Sequence, residues 1–104
     1  MSLEANLLRG ETALVLGGVA HRLRPSFTAL VAAEAELGPL LALVERAGDG
    51  DLRLTEMAAL FWHCLTDRAA FSREAFCEAV AEGGLAACIA PLRVLLGQIV
   101  KGTA

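Results

Sequence analysis

The chain has 104 residues, 56% of them hydrophobic and 20% charged, with a formal net charge of −3. That length makes a single domain over residues 1–104 with one modest core, residues 1–10 reading as a flexible N-terminal segment. The arginines are scattered and form no basic stripe, which argues against a nucleic-acid partner; the uncharged runs fall short of the roughly 20 residues of a membrane span, and "MSLEANLLRG" lacks the pattern of a secretory signal.

"ETALVLGGVAHRLRPSF" opens the structured part. Gly17-Gly18 is a two-residue loop that supplies positive φ at both central positions, so residues 11–16 and 19–24 form a hairpin. Leu16 then faces Val19, Leu14 faces His21 and Thr12 faces Leu23 on the oilier side. The other side carries Ala13, Val15, Ala20 and Arg22, with Glu11 opposite Arg24 at the open end. A lone hairpin is marginal in water, so this one must lie on helices or pair with another chain.

Pro25 stops the second strand and Ser26 caps a helix whose apolar line is Phe27, Leu30 and Val31 and whose end is Gly38. Pro39 starts a short helix over 39–47, and "GDGD" breaks the pattern. Thr55 caps a third helix, 56–66, with Glu56 in its first turn. That helix is apolar almost all round, which predicts a central position. Ser72 caps a fourth helix that runs to Glu82. A last helix, about 85 to 101, carries Leu85, Cys88, Ile89, Leu92, Leu95, Leu96 and Ile99 at helical spacing, and Pro91 inside it predicts a kink or a late restart. The fold class is mainly α (α+β), an N-terminal β-hairpin at about 11–24 followed by four or five helices in a small bundle.

No catalytic, cofactor-binding or metal-binding residue emerges. His63 and Cys64 in "FWHCL" point about 100° apart on a helix, so they are read as a solvated histidine on the polar face and a buried thiol, and no dyad forms. Cys64, Cys77 and Cys88 lack the close pairs of structural zinc sites and read as reduced, core-filling thiols of a cytoplasmic protein. Glu34 with Glu36 and Glu74 with Glu78 read as helix surface, with Glu34 reaching Arg22 or Arg24 across the hairpin–helix junction. Trp62 reads as core filler, with an interface anchor as the alternative. The apolar fraction exceeds the roughly 45–50% of ordinary domains, so part of it is expected to face a partner.

The series "LVLGGVAHRLRPSFTALVAAEAELG" resembles the N-terminal part of the gene transfer agent and phage-tail protein family of alphaproteobacteria. The residues that carry the resemblance are Leu14, Leu16, Gly17, Gly18, Leu23, Arg24, Pro25, Ser26, Phe27, Glu34 and Gly38. "GDLRLTEMAALFWHCL", residues 50–65, is similar to the start of that family's next long helix, although "FWHCL" departs from it and Trp62 and Cys64 take no role from the family. The resemblance implies a non-enzymatic tail component, a tube subunit or a tail assembly chaperone, either free in the cytoplasm or incorporated in a phage-like particle. Its partners would be tape-measure or tube proteins, with a homo-oligomer, such as a hexamer, among the expectations. Val15, Ala20, Arg22 and Trp62 are the expected partner interface. The alternative is a small regulatory module that binds protein or DNA outside any particle.

Overall fold

In the computed structural model, which describes residues 10–69 and 71–102, two strands precede five helices. The order is β1 (Thr12–Leu16), β2 (Val19–Leu23), α1 (Phe27–Leu37), α2 (Leu40–Gly48), α3 (Leu54–Cys64), α4 (Arg73–Gly83) and α5 (Leu85–Lys101). The segment read as flexible lies, apart from Gly10, outside the described residues.

Gly17 and Gly18 hold φ of 56° and 80°, the left-handed values that a two-residue hairpin loop requires. The antiparallel register is the expected one, Leu16 opposite Val19 through Thr12 opposite Leu23. Alternation turns Leu14 and Leu16 of β1 and Leu23 of β2 inward, where all three are buried, and β1 packs on α4 and α5. Burying such a side chain is worth about 1.5–3 kcal/mol, which explains how a hairpin too weak to stand alone is held in place. At its open end β2 gains a further partner. Leu23 bridges antiparallel to Leu65, the Arg24 N–H donates to the Cys64 carbonyl at 2.7 Å, and the Thr66 N–H donates to the Arg22 carbonyl at 3.1 Å. The edge of β2 is therefore already covered beside Arg22 and Arg24.

The helix boundaries follow local chemistry. Ser26 Oγ accepts the Ala29 N–H at 3.1 Å at the start of α1, and Ser72 Oγ accepts the Ala75 N–H at 3.1 Å at the start of α4. Gly38, at φ 87°, ends α1 and donates its N–H to the Glu34 carbonyl. Pro39 takes the capping position and α2 begins one residue later than expected. The cap of α3 is a correction: the helix begins at Leu54, and the side chain that satisfies its entrance is Glu56, which accepts the Arg53 N–H at 3.0 Å. Thr55 lies inside the first turn. Pro91 neither stops nor restarts α5, which runs unbroken through it with the ring buried.

The core gathers around α3, which contacts α1, α4 and α5 and buries Met57, Ala58, Ala59, Leu60, Phe61 and Cys64. Phe76 of α4, Leu95 of α5 and Leu43 of α2 close around it. The central placement of α3 is the expected one, but the face that α1 buries is not. Its buried residues are Ala29 and Ala33, whereas Phe27 is 85% and Val31 49% exposed. Leu30, the third residue of the expected line, is partly buried against the core, and the small side chains of Ala29 and Ala33 let α1 come close to its neighbour α3. In α5 the expected apolar line is largely the packed one, with Cys88 and Leu95 buried and Leu92 and Leu96 against the core, while Leu85 and Ile89 at its start are exposed.

Candidate interaction surface

The side chains with chemical potential are engaged in holding helices together. Cys64 is buried, and burial pushes its thiol up to about 12, so it carries almost no thiolate at neutral pH. His63 is not the solvated residue that its helical face suggested. Its side chain is only 12% exposed and its Nε2 sits 2.8 Å from Glu36 Oε1. Glu36 also accepts from the Arg73 guanidinium, and the Arg73 bond, followed by the one to His63, holds its carboxyl below the usual carboxylate range. Glu36 is thus no idle surface residue but a clasp joining α1, α3 and α4. Glu34 does not reach the hairpin arginines either. Its carboxylate accepts the Leu40 N–H at 3.1 Å and so ties α1 to the start of α2, while Arg22 lies 3.8 Å from the buried Glu11. Among the described residues no three metal-donating side chains converge, and no single helix is long and apolar enough to cross a membrane.

The expected interface residues fall in two places. Val15 and Ala20 are ladder partners on the outer face of the hairpin, and both are exposed. Arg22, two residues along the same face, is half-buried by its pairing with Glu11. Trp62 is half-buried on α3, with its ring 5.7 Å from that of Phe76 and the Arg68 guanidinium 5.6 Å above it. The hairpin residues form one surface. Trp62 belongs to the aromatic packing between α3 and α4.

The sequence reading missed the helical part of the exposed apolar surface. Phe27 and Val31 lie one turn apart on α1, Leu85 and Ile89 one turn apart on α5, and Leu41 on α2 is 69% exposed. The signal that could have found the first pair was the alanine stripe at positions 29 and 33, which competes with the larger residues for the buried face. Beside Phe27 lies a recess of about 270 Å³ lined by Arg24, Ser26, Thr28, His63, Thr66 and Arg68, among others. Arg24 and Arg68 make no ion pair with a described carboxylate, in contrast to Arg22, Arg46 and Arg73.

The described residues lay a two-stranded hairpin on a bundle of five helices and leave several large apolar side chains exposed. A family model described as phage tail tube protein, GTA-gp10, matches residues 9–102, from the hairpin to the end of α5. The chain belongs to this family of gene transfer agent and phage-tail components, and the match takes in the C-terminal helices as well as the hairpin and the first three. Comparison with curated proteins and with solved structures returned no match.

Proposed function

We propose that the chain is a tail assembly chaperone, a non-enzymatic cytoplasmic protein that holds apolar segments of the tape-measure protein until the tube polymerises around them. The observation that carries this reading is the set of large apolar side chains exposed on rigid helices: Phe27 at 85%, Leu41 at 69%, Leu85 at 55% and Ile89 at 49%. A chaperone for an apolar client needs apolar surface before the client arrives, and these side chains supply it on three helices. A second reading, a tube subunit retained in the particle, is supported by the exposed outer hairpin face of Val15 and Ala20, since repeated contacts between copies build rings and stacks.

Quantitative mass spectrometry of purified phage-like particles against the soluble lysate separates the two. Abundance in the lysate with absence from particles is the expected result. Many copies per particle would instead make the chain a tube subunit and the hairpin face its contact between subunits. The Val15→Asp variant adds a second test. It should keep its helicity and lose self-association if the hairpin face joins copies, whereas client binding through the helices should be unaffected.

A further inference from the structure

The recess lined by Ser26 and Thr28 brings together two arginines that make no ion pair with a described carboxylate. In a chain of net charge −3, Arg24 and Arg68 line one cavity of about 270 Å³ together with Ser26, Thr28 and Thr66. The nearest acid in sequence does not neutralise them, because Asp67 turns its Oδ1 to the Ala69 N–H at 3.2 Å. His63, the remaining titratable group on the wall besides the buried Cys64, is held by Glu36 through Nε2, while its Nδ1 is buried without a hydrogen-bond partner. Phe27 stands between two of the lining residues and is 85% exposed, with Val31 one turn further along α1. Two guanidinium groups that pair with no described carboxylate are complementary to the carboxylate of a partner, and the exposed Phe27, between the lining residues Ser26 and Thr28 in the chain, offers apolar surface at the same end of α1.

We propose that this corner of α1 is a docking point for an acidic, apolar segment of a partner protein, whose carboxylate enters the Arg24–Arg68 recess while its apolar side chains cover Phe27 and Val31. The partner's identity as the tape-measure client rests on the chaperone reading; the chemistry of the corner does not. Arg68 links the recess to an optical signal, because its guanidinium lies 5.6 Å over the ring of Trp62, the only tryptophan in the chain. A carboxylate that draws Arg68 away from that ring alters the fluorescence.

The test titrates the full chain with a synthetic amphipathic helical peptide that carries leucines along one face and glutamates beside them, and with its glutamine counterpart. The glutamate peptide should change Trp62 fluorescence and bind about tenfold or more tighter than the glutamine peptide, the loss expected when a charge-assisted bond is removed. Arg24→Glu with Arg68→Glu, and separately Phe27→Asp, should each abolish that preference or the binding itself. Arg68→Gln, a milder change at a surface side chain, should weaken binding while circular dichroism reports an unchanged fold. Arg93→Glu, on exposed α5 surface, should bind like the wild type. Equal affinity for the two peptides, no binding of either, equal loss in Arg93→Glu, or inorganic phosphate binding as tightly as the glutamate peptide would each overturn the docking point. Capture of the co-expressed tape-measure protein tests the chaperone reading separately. If capture persists in the Arg24→Glu/Arg68→Glu variant, the reading stands and the partner docks elsewhere. If the wild type captures nothing while the glutamate peptide binds through the arginines, the docking point stands and the reading falls.

Discussion

The Arg46 guanidinium at the end of α2 holds the Glu56 carboxylate in the first turn of α3 by two bonds, Nη1 to Oε1 at 2.9 Å and Nη2 to Oε2 at 2.6 Å. Glu56 thereby closes the loop between these helices while also accepting the Arg53 N–H. The Arg46 bond, then the backbone bond, lowers its carboxyl from the ordinary 4.5 to about 2. A depressed carboxylate pKa stabilises the fold above the unfolded value and is lost as pH falls towards the folded one. Glu56→Gln should therefore be less stable than the wild type near neutral pH, and the gap should close as pH falls from about 4.5 to about 2. Urea midpoints measured along that range decide it, and a gap that ignores pH would show that the charge is not what matters.

Two phenylalanines with opposite fates test the rotation of α1. Phe61 is fully buried and Phe27 is 85% exposed. Phe61→Ala should cost about 3–5 kcal/mol through lost burial and the cavity it leaves. Phe27→Ala should stay within about 0.5 kcal/mol of the wild type. Chemical denaturation of both variants checks the pair, and a large cost at Phe27 would mean that its ring is core.

The hairpin loop depends on backbone conformation and not on space. A Cβ at Gly18 would meet nothing within 4 Å, yet its φ is 80°. Gly18→Ala should destabilise by about 1–2 kcal/mol, the cost of holding an L-residue in the left-handed region. Gly17→Asn should cost less, because asparagine tolerates that region better. Thermal unfolding of the two variants ranks them.

The thiols should divide by burial. Cys64 and Cys88 are buried, Cys77 is partly accessible, and all three are free. Burial raises the Cys64 thiol to about 12 and also raises that of Cys88. Alkylation of the native protein, followed by peptide mass spectrometry, should label Cys77 first and reach the other two only on unfolding. Fast labelling of Cys64 would reopen a thiol chemistry.

The hairpin, its register and the approximate spans of the helices were legible because each has a local signal, although their number was read only as four or five. Gly17-Gly18 determines the turn, the turn determines which residues pair, and Ser26, Gly38 and Ser72 mark helix ends through bonds only a few residues long. The all-round apolar character of α3 likewise announced its central place. The cap of α3 was misread because Thr55 and Glu56 are both good entrance residues, and the bond from Glu56 back to the Arg53 N–H decides between them.

What only the tertiary structure decided was which way each helix faces and which distant groups meet. In α1 the large residues Phe27 and Val31 and the small residues Ala29 and Ala33 both recur at helical spacing, and the packed face buries the small ones. Glu36, His63 and Arg73 come from three helices, and their clasp depends on how those helices pack. The same holds for the recess between Arg24 and Arg68, which stand 44 positions apart in the chain. Local signals act over one or two turns of backbone, so the sequence alone sufficed for the elements and their ends; the exposed surface on which a partner acts is what remains after packing has taken its share.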